Sequence, residues 1–413
     1  MRAYDRRSRR RRRRLLVAGG VALLAIVVAL AVREFPSGAE TSDSANVSAR
    51  VPHLPKALRR STGRAYVVST RGSDSNPGTT GRPFRSIQAA LDRVRPGQRV
   101  LVRRGTYREN LELTHSGTAR KPITIRSFPG ERAVLLPGGG ARCNDVLQLS
   151  DVSYVRVEGF RIQGANGCDN NTNVYVAGNS RHIEVSHNDI RNGQDHGLFT
   201  DPGTFDVQVL ANRVHDNGTV GSGNKDHALY MEGTRHLVAN NLIYDHPYGH
   251  AVQIYPSAKG TIITNNTIVN TSFTDGYRAA GVIVGGDGQG DTADDIFIAN
   301  NIVAWNDLGL YGYYEDGSSG PAGSGNVGRR NLLYANRYGD LVNDRSVIGF
   351  RDNITDQDPR FVDRARNDFR LRSGSPAIDR ALPQLAPRFD FAGHRRSGRP
   401  DLGALEFVKK RSQ

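Results

Sequence analysis

Six times in the middle of this chain an asparagine is followed two residues later by Ile, Val or Leu, at Asn188, Asn212, Asn241, Asn266, Asn301 and Asn331. Successive asparagines are 24, 29, 25, 35 and 30 residues apart. A recurrence of this length marks a repeat architecture, in which each unit buries its apolar face only against the next. Alternating segments such as Ile183-Glu184-Val185 and Val207-Gln208-Val209 precede the asparagines, and period two means strand. A second short strand follows each turn, around Leu198, Leu229, Val252, Val282 and Leu310, with no helical stretch between. The expected fold is therefore all-β, a parallel β-helix whose coils stack at about 4.8 Å. An antiparallel sandwich would need two-residue hairpins at shorter spacing, and few are present. At 413 residues the chain exceeds the usual single core, and 46 Gly with 18 Pro suit many short strands and turns.

The first fourteen residues are a basic segment expected to stay cytoplasmic, and residues 15–32 are uncharged and apolar. As a helix the latter would measure about 27 Å, close to hydrocarbon thickness. Residues 15–32 are read as a transmembrane signal anchor, with the bulk of the chain extracytoplasmic; the alternative is secretion after cleavage near Ala29-Leu30-Ala31. Nine arginines and Asp5 in the first fourteen residues account for eight of the fifteen net positive charges. That distribution argues against nucleic acid as a partner. Residues 33–64, rich in Ser, Ala, Pro and Arg, read as a linker outside the fold. The β-helix is assigned to 65–351 and a C-terminal capping segment to 352–413, expected to cover the last coil.

Residues 86–95 (SIQAALDRVR) show helical spacing and a Pro-Gly stop, so a short amphipathic helix is expected to cap the first coil. Cys143 and Cys168, the two cysteines of the chain, stand one coil length apart, and a disulfide bracing adjacent coils is expected. Tyr66-Val67-Val68-Ser69, Gly72-Ser73-Asp74, Pro77-Gly78-Thr79, Pro83-Phe84, Ser86-Ile87-Gln88-Ala89-Ala90 and Gly105-Thr106-Tyr107 together resemble the opening of right-handed parallel β-helix proteins of the pectate-lyase-like superfamily. Asp358-Pro359-Arg360-Phe361-Val362, Ser375-Pro376-Ala377-Ile378-Asp379 and residues 400–406 (PDLGALE) resemble the terminal segment of exported bacterial members. The superfamily holds lyases, hydrolases, epimerases and noncatalytic surface proteins, so the resemblance implies fold and exported setting more than reaction.

Aligning the second strands puts His196, His227 and His250 in one column, Phe199, Tyr230, Gln253, Ile283 and Tyr311 in the next outward one, and Asp201, Glu232, Tyr255 and Tyr313 beyond it. Gln194, Lys225, Tyr248 and Arg278 would line the same edge. Rings stack on sugar faces and cations pair with uronate carboxylates, so such a strip suits an acidic polysaccharide. The rival reading makes the histidines a turn ladder, each ring bonded to its neighbour. For β-elimination, Lys225 or His227 would serve as base, Tyr230 as acid and Arg278 as neutraliser of the enolate-like charge. Glycoside hydrolysis would use Asp201 and Glu232 instead. A noncatalytic carbohydrate-binding surface is the third reading. The resemblance implies Ca2+ as a helper, and Asp287, Asp291, Asp294 and Asp295 on a Gly-rich loop offer hard oxygen ligands. No P-loop or HExxH motif occurs.

Overall fold

The computed structural model describes residues 51–139, 145–164, 172–218, 226–272, 278–314 and 320–409. Its body is a right-handed parallel β-solenoid of about eight turns. Each coil contributes one strand to each of three sheets, in the order I, II, III. The coil from Arg181–Ser186 (I) through Asp189–Arg191 (II) to Leu198–Thr200 (III) is typical. Residues of successive coils pair in parallel register, so Val157, Val185, Val209, Val238, Ile263 and Ile298 form one interior ladder on sheet I. Ile162, Ile190, Val214, Ile243, Ile268, Val303 and Leu333 do the same on sheet II. All are fully buried, each stabilising the fold by about 1.5–3 kcal/mol relative to exposure. β-Branched side chains dominate because stacked strands bury their inward face completely.

The recurring asparagines occupy the corner between sheets I and II. The backbone N–H of Asn188 donates to Asn212 Oδ1 at 2.9 Å, Asn212 to Asn241, Asn241 to Asn266, Asn266 to Asn301 and Asn301 to Asn331, each between 2.9 and 3.0 Å. Each Nδ2 also donates to a carbonyl of the preceding coil, such as Asn266 to Val238 O. The residue before each ladder asparagine turns the chain in the left-handed region, with φ of 56° at His187 and 60° at Asn300.

A short helix, Ile87–Leu91, caps the first coil. Ser86 Oγ accepts from Ala89 N–H, and Glu109 accepts from the Ile87 and Gln88 N–H groups that the helix start leaves unpaired. Its side chains Ile87, Ala90 and Leu91 join the interior cluster. The helix is shorter than the sequence periodicity suggests. Among the described residues no helix is long and apolar enough to cross a membrane. The anchor proposed for residues 15–32, and Cys143 and Cys168, lie outside the described residues.

Asn353 and Ile354 add a last rung on Asn331 and Leu332 of sheet II, and the rest of the C-terminal segment lies along the side of the stack. An antiparallel pair, Phe361–Asp363 with Asp368–Leu371, begins a strap that runs back along the outer face of sheet II. Phe361, Phe369, Leu371 and Leu402 cover Leu242, Tyr244, Val269, Ile302 and Leu332. The reason lies in the outward column of that sheet, which reads Arg161, Asp189, Arg213 and then Leu242, Thr267, Ile302, Leu332. Where it turns from charged to mostly apolar, it needs cover. Part of the expected linker is likewise docked: Val51 and Leu54 pack on Leu237, Ile262 and Phe297 of sheet I, while Leu58 O and Lys56 O accept from Arg156 and Gln208.

Candidate functional site

Sheet III carries the strip expected from the sequence. Its register pairs Tyr175, Phe199, Tyr230, Gln253, Ile283 and Tyr311 across six coils. Alternation along each strand sends Leu198, Leu229, Val252 and Val282 inward and this column outward. Tyr175 stacks on Phe199 at 5.2 Å between ring centres with planes 9° apart, and Phe199 meets Tyr230 at 4.9 Å. Further along, Tyr255 and Tyr313 approach to 6.2 Å and Tyr311 and Tyr313 to 5.8 Å. The result is a run of three aromatic rings one coil apart, Tyr175, Phe199 and Tyr230, separated by Gln253 and Ile283 from a second group formed by Tyr255, Tyr311 and Tyr313.

His196, His227 and His250 do lie one above another, with ring centres 5.4 and 5.3 Å apart and planes within 16°. They are a structural ladder. The His227 N–H donates to His196 Nδ1 at 3.1 Å, His250 N–H to His227 Nδ1 at 2.9 Å, and Ala280 N–H to His250 Nδ1 at 2.9 Å. Each Nδ1 lone pair is thus committed, and the neutral ring is the form that fits. Burial pushes the His196 imidazole down to about 4 and His250 down to about 3. Burial, with the neighbouring histidines, also holds His227 well below its ordinary value. His227 and His250 are each only 2% exposed. Gly249, at φ 75°, makes the ladder possible: a Cβ there would sit 1.6 Å from Asp226 O. Neither sugar contact nor surface base chemistry fits His227 in this setting. Tyr230 instead lies edge-on to both His196 and His227, at 5.4 Å each, so the ladder orients its ring.

The hydrolase pair is not poised. Asp201 accepts from Tyr175 Oη through Oδ1 at 2.8 Å and from Gly178 N–H through Oδ2 at 2.9 Å, and Glu232 is 6% exposed. Asp201 is therefore a brace for Tyr175. Tyr311 donates to Asp344 at 2.8 Å, which fixes the far end of the row. Arg278 lies over the Tyr338 ring at 4.3 Å, on the edge where sheet II passes into sheet III. Lys225 lies outside the described residues.

The acidic loop does not assemble a cation site. Asp287 Oδ1 accepts three N–H groups of its own turn, from Gln289, Gly290 and Asp291. Asp294 accepts from Thr292 Oγ1 and from Ser324, while Asp295 faces Lys259 at 4.0 Å. Among the described residues no group of three His, Cys, Asp or Glu side chains could hold a metal ion. The residues expected to bind Ca2+ are not gathered into one site: Asp287 and Asp294 serve separate turns, and Asp295 faces Lys259.

Two features escaped the sequence reading. On sheet II, His215 sits between two carboxylates, with Nε2 3.0 Å from Asp189 Oδ1 and Nδ1 2.5 Å from Asp216 Oδ2. Burial opposes its cation, but the bonds to Asp189 and Asp216 prevail and raise its pKa. The signal was present in the one-coil offset of Asp189 and His215. The second feature is a basic hollow beside Trp305, built partly from the strap.

Residues 66–227 match the family described as "Pel9A-like, right handed beta helix region". Over 346 residues the chain is 28% identical to the uncharacterized protein YwoF of Bacillus subtilis, with 62% of this chain and 72% of that one covered. It is 35% identical over 97 residues to pectate lyase PEL9 of Emericella nidulans, covering 22% of this chain and 24% of that enzyme. Among solved structures, pectate lyase Pel9A superposes with a TM-score of 0.59 at 18% identity, covering 84% of this chain and 98% of that one. An alginate lyase from Paenibacillus sp. gives 0.54 at 17% identity, covering 71% and 95%. These likenesses agree with the right-handed parallel β-helix fold of the solenoid.

Proposed function

We propose that this protein binds an acidic polysaccharide along sheet III and cleaves it by β-elimination, outside the cytoplasm and anchored through residues 15–32. The observation that carries the reading is the outward row Tyr175, Phe199, Tyr230, aromatic side chains one coil apart, the last tilted by 42° to its neighbour, a repeat that suits successive sugars. The match to a Pel9A-like region and the partial identity to a pectate lyase support the same chemistry.

Elimination needs a base for the proton beside the uronate carboxylate, a cation for the charge that develops, and an acid for the departing oxygen. With His227 committed to the ladder, Lys225, which precedes Asp226 in the sequence, is the base. As Lys225 takes the proton, the ring carbon pair becomes a double bond and the glycosidic bond to the leaving oxygen breaks. Tyr230 supplies that oxygen with a proton, and Arg278 pairs with the substrate carboxylate. His196 and His227 hold Tyr230 in orientation.

The test uses the full chain with polygalacturonate, alginate and a neutral glucan, following absorbance of unsaturated uronate products. Absorbance should rise on at least one acidic polymer and on none of the neutral. Lys225→Ala and Tyr230→Phe should each lower kcat by about 100-fold or more. New reducing ends without unsaturation would replace elimination by hydrolysis, and binding without either product would leave a carbohydrate-binding surface.

A further inference from the structure

Away from sheet III, the strap lines two adjoining open hollows of about 660 and 410 Å³ that share Asp358, Arg360 and Ser373. Both volumes fall within the usual range of ligand pockets, about 300–1,000 Å³. Arg360 and Arg380 line the first, with Ile378 and Phe407; Arg360, Arg364 and Arg372 line the second, with Trp305. Among the described residues none of these four arginines forms an ion pair. Their chain neighbours Arg366 and Arg370 do, with Asp363 and Asp368. The single carboxylate in the hollows, Asp358, accepts from the Arg360 N–H. Four uncompensated guanidinium groups against one carboxylate make a site for anions.

Two of the guanidinium groups are also held in place. Arg364 lies 4.5 Å over the Trp305 ring and donates to Asn270 Oδ1 at 2.9 Å, while Arg372 donates to Val362 O. Trp305 is fixed edge-on against Tyr334 at 5.3 Å and is half-buried. It belongs to the turn 305–307 that leads from sheet II into sheet III. The Tyr338 N–H donates to Asp307 O in that turn, and Tyr338 carries both Arg278 and Arg337 over its ring. A basic and aromatic path thus rounds the corner from the hollows to the strip.

We infer that the hollow beside Trp305, with Arg360, Arg364, Arg372 and Arg380, is a second binding site for an anionic polysaccharide, built by the C-terminal strap. Planar guanidinium groups take its carboxylates, and Trp305, Ile378 and Phe407 offer apolar surface to sugar faces. A polymer held there is retained on the protein between encounters with sheet III, and its effective concentration at the strip rises. The site stands on residues other than those of the proposed reaction, so the two ideas fail separately.

Trp305 is the one tryptophan of the chain, so its fluorescence reports this hollow and not the strip. In the full chain, polygalacturonate or alginate fragments should change its emission saturably, and a neutral glucan should not. Arg360→Ala and Arg372→Ala together should weaken that response about tenfold or more. Arg380→Ala, whose exposed side chain leaves the strap's packing untouched, should weaken it less while melting as the parent does. No emission change with either acidic polymer, or equal affinity in all variants, would overturn the site. An equal response to inorganic polyphosphate would overturn its assignment to sugars. Turnover that persists while Trp305 stays silent would remove this inference and leave the reaction standing; a saturable response without turnover would do the reverse.

Discussion

His227 shows how two residue types, histidine and asparagine, serve one purpose at different corners of the same coil. Its Nδ1 stands as many bonds from Cα as the Oδ1 of asparagine, and each accepts an N–H of an adjacent coil, the histidine from the following coil and the asparagine from the preceding one. An asparagine should therefore do the same work. His227→Asn should melt within a few degrees of the parent, whereas His227→Ala leaves the buried His250 N–H without a partner and should cost about 1–3 kcal/mol in urea unfolding. The column itself was legible, since His196, His227 and His250 fall at corresponding places before their strands. What the histidines do there was not, because the choice between sugar contact and backbone acceptor depends on coil pitch and burial. Asp201 carries the same lesson: its type suggested chemistry, while Tyr175, a coil away, fixes its use.

Among elements, the asparagine corner and the strap differ in how plainly the sequence announces them. Asn266 accepts from Asn241 and donates to Val238 O and Asn301, all between 2.9 and 3.0 Å. Asn266→Ala should lower stability by about 3 kcal/mol, read as a drop in urea midpoint with an unchanged slope. Asn266→Asp keeps the acceptor but loses the donor and should fall between. This ladder was legible because a corner residue must repeat with the coil. Where the strap docks was not legible, because its own composition does not say which surface it covers. The signal lay elsewhere, in the outward change from Arg213 to Leu242 on sheet II, and only the coil register exposes that column.

For the whole molecule, three stacked imidazoles tie stability to acidity. In the unfolded chain each titrates near 6.5. Folded, His196 and His250 are held at about 4 and about 3, and His227 well below 6.5, in each case foremost by burial. Between those values the unfolded chain binds more protons, so stability is full above pH 6.5 and is lost as pH falls toward 3. His215 acts in the opposite sense, adding stability below 6.5 that disappears as pH rises through its raised value. Thermal melts across pH 3 to 8 should show an acid limb that the triple change His196→Asn, His227→Asn, His250→Asn flattens, on the order of a few kcal/mol.

The docking of Val51 and Leu54 on the outside of sheet I also has a mechanical meaning. A pull transmitted from upstream reaches the stack at its waist, beside the coils of Leu237 and Ile262, and not at the helix-capped tip. Sheet I and sheet III are separate sides of the solenoid, so residues 51–54 do not occupy the aromatic row.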